Sequence, residues 1–403
     1  MKILFIPTCV SGITYWRMYN PWVAAHRTKA FDAWVLWWQK DMNDDVHPWE
    51  RDIMTSQYHA KITGEISAAC RDHDVIVMGM VHLPSALQTM QAIREMYGKP
   101  VVMEIDDNIL SCPEYNPAAG TYGPNNNTRR LTIQQLRESD AVFVTTPYLK
   151  EIYSEFNDHV YVLPNSIDFK LWGKAPRRVN KGKITIGWVG GANHNDDLLI
   201  IEPAIEYLTA KYPHVEFVFG HGMHPRFRGK KGVRWIKEFA RIDKYPKFVA
   251  RMGIDIGMAP LVDNAFNRGK SNIRWLEYSA LGIPTVASNV GHFAETIKHG
   301  STGLLCNTPQ DFIDNLETLI KDRTMRKELV KNAKAEVFKN WNIDNTIKTY
   351  GTILQEIIER GQVKKFVPCK KVSNFKPEAV AEIQDQILRS APGFKPAEFE
   401  TAV

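Results

Sequence analysis

Apolar runs recur along the first part of the chain at Ile3 to Ile6, Ala33 to Trp38, Val75 to Met80, Val101 to Ile105, Ala141 to Thr145 and Val160 to Leu163. Mixed segments of helical length separate them, and this alternation predicts a parallel, doubly wound sheet. After Pro164-Asn165-Ser166-Ile167-Asp168 the stretch Lys170 to Lys183 is rich in Pro, Gly, Arg and Lys and reads as a hinge. A second alternation follows at Ile184 to Val189, Val215 to Phe219, Val233 to Ile236, Ile254 to Ala259, Thr285 to Ala287 and Gly303 to Leu305, with helical patterns from Pro309 to about Glu359. The expected organisation is α/β in two domains, 1–168 and 184–341, joined by a hinge at 169–183 and followed by a helix and tail at 342–403. A length of 403 residues fits this, being more than one core usually covers. No period of 20 to 50 residues repeats, which argues against a solenoid.

Composition adds little beyond class. Hydrophobic residues make up 44% and charged residues 24%, as in an ordinary globular protein. No run of about 18 apolar residues is present to span a bilayer. Met1 to Pro7 holds an apolar stretch too brief for a signal-peptide core and reads better as a first strand. The expected location is therefore cytoplasmic, with peripheral association at a membrane left open. Cys9, Cys70, Cys112, Cys306 and Cys369 are scattered and odd in number, which points to reduced thiols and neither a disulfide framework nor a zinc site.

The segment from Asn267 to Tyr278 is the densest in chemistry. It reads as a polar loop and then a helix, ended by Gly282-Ile283-Pro284 before a buried strand. Arg268, Lys270 and Arg274 crowd the helix N-terminus, a place suited to an anion, although a charge cluster is also what a solvated helix face looks like. Gly190-Gly191 closes the first strand of the second domain in a tight turn, with His194 just beyond it. Asp106-Asp107 follows the strand at Val101 to Ile105, either capping a helix or lining the crevice where α/β proteins bind ligands. His82 follows another strand and is read as structural as readily as near an acceptor.

These motifs, in this order, resemble the GT-B glycosyltransferases of the family 4 (group 1) type. Glu277 matches the second glutamate of that family's Glu-x7-Glu motif, and Gly282-Ile283-Pro284-Thr285-Val286-Ala287-Ser288 matches its Gly-x-Pro-Val-Val-Ala-Ser strand. The first glutamate is missing, because Gly269 stands there. Ser11-Gly12-Ile13 falls where such enzymes place a glycine turn beneath the sugar and diphosphate, and Asp106-Asp107 falls where they often have His-Asp. Pro164 to Asp168 resembles the signature at the domain junction. In the second domain's glycine turn the family commonly carries Arg and a following Lys; here stand Ala192 and the acidic pair Asp196-Asp197.

The resemblance implies two Rossmann-like domains facing across a cleft, with the last helix crossing back onto the first. It implies transfer of a sugar from a nucleotide-diphosphate sugar to an acceptor hydroxyl, with retention at the anomeric carbon and with no metal or other cofactor. Arg268, Lys270 and the Ser271 hydroxyl are the candidates to replace the missing clamp on the diphosphate, with Gly12, Gly190, Gly191 and His194 near them and Glu277 on the ribose. Asp106, Asp107 and Lys270 are the candidate catalytic residues. The acceptor stays open among a glycan, glycolipid or other glycoconjugate, and hydroxymethylated DNA as in some phage enzymes. A non-catalytic nucleotide-sugar binding protein is the third reading. Arg226 to Arg251 holds ten Lys/Arg against two acids, interleaved with aromatics, so Arg226, Arg228, Lys230 and Lys231 are candidates to meet DNA or an anionic membrane surface. An ordinary solvated surface over core aromatics is the alternative.

Overall fold

A computed structural model of the chain describes residues 1–7, 12–35, 69–80, 84–175, 182–191, 194–238 and 244–362. They group into two compact units. The first comprises Met1–Asp106, Thr121–Pro164 and the chain from Ile347; the second comprises Asp107–Gly120 and Asn165–Thr346.

The first unit is built on β1 (Lys2–Ile6), β2 (Asp32–Val35), β3 (Val75–Gly79), β4 (Val101–Glu104), β5 (Ala141–Val144) and β6 (Val160–Val162). They form one sheet in the order β2-β1-β3-β4-β5-β6, every pairing parallel. Its strands bury residues on both faces, which is why they appear in the sequence as unbroken apolar runs. The helix Ile343–Arg360 sets Tyr350 in this unit against Phe143, Phe5 and Phe31, at ring-centroid distances of 5.3, 6.1 and 6.2 Å.

In the second unit β7 (Ile184–Gly190), β8 (Val215–His221), β9 (Val233–Ile236), β10 (Ile256–Ala259), β11 (Thr285–Ser288) and β12 (Leu304–Cys306) are again all parallel, ordered β12-β11-β10-β7-β8-β9. Phe217, Phe219, Phe227, Ile186, Leu316 and Leu319 form the centre of its core, fully buried. The chain winds outward from β7 through β9 and then returns to the other side of β7 at β10. The order thus reverses between β7 and β10, and in open α/β sheets ligands bind outside the carboxyl ends of the strands at such a reversal. Gly190 ends β7 there, and Ala259 ends β10.

Two expectations about boundaries need correction. The expected hinge begins as a helix, Phe169–Trp172, because Asp168 Oδ1 accepts from the Lys170 amide at 2.8 Å and caps it, while Trp172 is completely buried edge-on against Tyr245 at 5.7 Å. Residues 176–181 of that hinge lie outside the described residues. The segment Asp107–Gly120, expected in the first domain, belongs to the second unit. Polar contacts hold it: the Asn108 amide donates to the Ala265 carbonyl at 3.0 Å, and the Asn264 amide donates to the Tyr115 hydroxyl at 3.0 Å. Ser11, His82 and the tail from 363 also lie outside the described residues.

Candidate functional site

The helix Ile273–Leu281 is fixed to the two strands that flank the reversal in the second unit. Gly282 ends it in the left-handed conformation at φ 71°, which costs glycine no steric penalty. Tyr278 is fully buried, and its hydroxyl reaches the Gly187 carbonyl of β7 at 3.2 Å and the Met258 carbonyl of β10 at 3.3 Å. A Cβ on Gly257 would lie 2.4 Å from the Tyr278 ring, so the glycine in β10 is what lets the helix dock so closely.

That docking places Arg274 and Glu277, one helical turn apart, beside the turn after β7. Arg274 Nη1 donates to Glu277 Oε2 at 2.5 Å and to the Tyr245 hydroxyl at 3.1 Å. Its Nη2 lies 3.2 Å from where a Cβ on Gly190 would stand, and the guanidinium lies 5.9 Å from the centre of the Trp188 ring. Glu277 is almost fully buried, and burial pushes its carboxyl up to about 7 against the pull of Arg274. The sterics of Gly190 are strict as well, since the added Cβ would meet Trp188 at 2.4 Å.

Lys270 and Asp107, two of the expected catalytic residues, are brought together. Lys270 Nζ donates to both oxygens of Asp107, at 2.8 and 2.9 Å, while lying 4.4 Å over the Phe266 ring. Ser271 Oγ accepts from the Asn165 amide at 2.8 Å, so the Pro-Asn-Ser-Ile-Asp signature reaches the cationic loop. Arg268 is placed differently. It lies in a short helix, Ala265–Arg268, instead of a loop, and forms a solvent-exposed bidentate pair with Asp263 at 2.7 and 3.0 Å.

His194 is oriented by a carboxylate. Asp197 is buried and accepts from His194 Nδ1 at 2.8 Å, from the Asn267 amide at 2.7 Å and from the Val262 amide at 2.9 Å. A carboxylate can only accept, so Nδ1 carries the proton and Nε2 is an acceptor. Burial lowers the imidazole pKa despite Asp197, and the charges of Lys270 and Arg274 lower it further. Gly191 is exposed, and its carbonyl accepts from the His194 amide at 3.3 Å.

Opposite Gly190 in the β7–β8 register stands His221 at φ 64°, a left-handed conformation uncommon for a residue with a side chain. Its ring stacks on Phe248 at 4.9 Å and lies 5.7 Å from Tyr245. Burial, helped by the Arg274 charge, holds it down at about 4. The Gly222 amide that follows donates to the Gly190 carbonyl at 2.8 Å, tying the two turns together.

The remaining expected residues belong to the first unit. Gly12 is exposed, and a Cβ there would meet nothing within 4 Å among the described residues, so their packing does not require glycine at that position. Asp106 follows β4, and its carbonyl accepts from Thr145 Oγ1 at 3.4 Å. Nearby, Arg17 is buried in a π-helical turn, Tyr15–Tyr19, and donates to Glu104 at 2.6 Å and to the Leu163 carbonyl at 2.7 Å.

Part of the basic stretch is paired within its own unit, Arg234 with Glu216 at 3.1 Å among them. Arg226 pairs with Glu202 at 3.0 Å, and Lys230 pairs with Glu202 and Glu206. Arg228 and Lys237 lie over Trp235, at 5.1 and 4.7 Å from the ring centre. Tyr245, His221 and Asp197 are site residues that sequence reasoning missed, and Arg274, seen there only as one of three cations at the helix N-terminus, was not expected to pair with Glu277. The three-residue spacing of Arg274 and Glu277 and the lone His between Gly220 and Gly222 were the available signals.

Two six-stranded parallel sheets give a two-domain α/β fold of the GT-B kind, and in the second unit a glycine turn at the strand-order reversal is backed by the helix bearing Arg274 and Glu277. Residues 273–336 match the family model described as "Glycosyl transferases group 1". The Glycosyltransferase 1 domain-containing protein 1 of Xenopus tropicalis is 28% identical over 162 residues, covering 40% of this chain and 44% of its own length. The chain thus spans less than half of that curated relative. Among solved structures, sucrose-phosphate synthase from Thermosynechococcus elongatus is similar with a TM-score of 0.63 at 14% identity, over 90% of this chain and all of its own. HepE of Anabaena in complex with UDP and glucose is similar with a TM-score of 0.61 at 13% identity, over 88% of this chain and all of its own. No described helix is long and apolar enough to cross a membrane.

Proposed function

We propose that this chain transfers a sugar from a nucleoside-diphosphate sugar to an acceptor hydroxyl, with retention of configuration and without a metal. The observation that carries the reading is the buried Glu277 on the helix beside the Gly190 turn, inside the segment that matches the group 1 family. A carboxylate accepts from two vicinal hydroxyls, as a ribose offers them. The related Anabaena structure holds UDP and glucose, which supports a nucleotide sugar as donor.

In the step we propose, the bond from C1 of the sugar to the phosphate oxygen breaks and its electron pair stays on that oxygen. The acceptor oxygen bonds to C1 from the same face, and its proton passes to a phosphate oxygen. Fixed cations near the turn, Arg274 and Lys270, neutralise the charge that develops on the leaving group. Asp107 holds Lys270 in place for that task. The acceptor we favour is a glycan, glycolipid or other glycoconjugate, because two of the four cations considered for DNA, Arg226 and Lys230, already have carboxylate partners.

Binding of UDP, GDP and ADP, measured calorimetrically with the parent and with Glu277→Ala, tests the donor reading. One of these nucleotides binds the parent, and the variant loses affinity and discriminates ribose from deoxyribose less well. Failure of all three to bind, or unchanged ribose discrimination, would overturn it. Turnover in EDTA tests metal independence: full loss, restored by magnesium or manganese, would count against it.

A further inference from the structure

We infer that Arg274 holds the leaving diphosphate, taking over the work of the Arg and Lys that are missing after Gly191; this rests on the donor reading above. Each of the other expected clamp groups already has a side-chain partner, and of these Lys270 contributes as a fixed charge rather than as a directed fork. Arg268 faces solvent in its bidentate pair with Asp263, both Asp107 oxygens sit on Lys270, and Ser271 Oγ accepts from Asn165. Arg274 spends Nη1 on Glu277 and Tyr245 and turns Nη2 to the Gly190 turn, where it has no acceptor among the described residues.

The geometry suits a phosphate. A guanidinium is a rigid planar fork, so fixing one amino group by Glu277 and Tyr245 also fixes the direction of the other. Gly190 supplies no Cβ on that side, and none could be accommodated there. The cation is felt across the turn, since its charge helps to depress the titration of both His194 and His221. Those two rings therefore add no competing positive charge at neutral pH, and the cationic field at the turn comes from Arg274 and Lys270. In this arrangement Glu277 has two functions: it accepts from the ribose, and it aims Arg274.

The ratio of UDP affinity to uridine affinity separates a phosphate contact from a packing role. We expect Arg274→Gln to lower that ratio ~10- to 100-fold, as loss of a charge-assisted hydrogen bond to phosphate does, while uridine affinity changes little. Glu277→Gln lowers uridine affinity through the ribose and, because it also loosens Arg274, lowers UDP affinity further. Arg274→Lys keeps a cation against Glu277, so it folds even if the glutamine variant does not, and it lowers the ratio by at least ~3-fold because an ammonium cannot hold the same fork. An unchanged ratio in Arg274→Lys, with nucleotide still bound by the parent, would overturn the Arg274 assignment alone. A parent that binds none of UDP, GDP and ADP would overturn it through the donor reading.

Discussion

His221 combines a left-handed backbone, a stacked ring and a pKa held near 4, and each has a measurable consequence. Its folded-state value lies below the unfolded value, so between pH 6.5 and 4 the unfolded chain binds more protons. Stability from this residue is therefore complete above pH 6.5 and falls as pH drops toward 4, by about 2 kcal/mol after discounting for the partial exposure of the residue. Asn tolerates φ near 64° and does not titrate in this range, so His221→Asn should narrow the difference in unfolding free energy between pH 8 and pH 4.5. An unchanged difference in urea titrations would place the ring in water. At this scale the sequence pointed to Glu277 through a motif with fixed spacing, and to Lys270 and Arg274 as cations at a helix N-terminus. It did not show that Arg274 would pair with Glu277, since three residues before a glutamate a solvated face looks the same. Its second anchor, Tyr245, lies 29 residues away.

The strands were the most legible elements. Each of the twelve overlaps an apolar run, because a parallel strand covered on both faces needs no polar alternation. The hinge was misread at its start for the opposite reason: Trp172 lies among basic and glycine residues, and the partner that buries it, Tyr245, is remote in sequence. The turn after β7 invites a test of its own. Gly190→Ala forces Trp188 or Arg274 to move, since the new methyl would stand 2.4 Å from the indole. Overpacking of this kind costs about 1–3 kcal/mol, and nucleotide affinity should fall with it. Thermal melting and UDP titration of the same variant would show whether the two losses go together. At Gly12, where a Cβ meets nothing within 4 Å among the described residues, alanine should leave the melting temperature near that of the parent.

For the whole molecule, nucleotide binding should leave a local footprint. Hydrogen exchange with UDP present should slow at the end of β7 and along Ile273–Leu281, and stay unchanged in the helix Arg323–Asn340. Protection confined to the first unit would contradict the placement of the donor. Lys230→Glu sets a like charge against Glu202 and Glu206 at a partly exposed position, so it should cost about 1 kcal/mol in unfolding free energy. Retention on duplex DNA should not change with it. The two-unit organisation was legible from the paired alternations, whereas the transfer of Asp107–Gly120 to the second unit depends on Asn108 and Tyr115 finding partners more than 140 residues away.

Tyr350 also sets a timetable for biosynthesis. The ring that fits against Phe5, Phe31 and Phe143 is translated some 200 residues after the last of these is translated. At about 5–20 residues per second the nascent sheet waits tens of seconds with that aromatic seat open. The second unit, whose strands run contiguously from Ile184 to Cys306, can close first. Chains stalled before Ile347 should therefore bind a hydrophobic dye and recruit holdase chaperones through the first unit, and release from both should coincide with synthesis of the final helix.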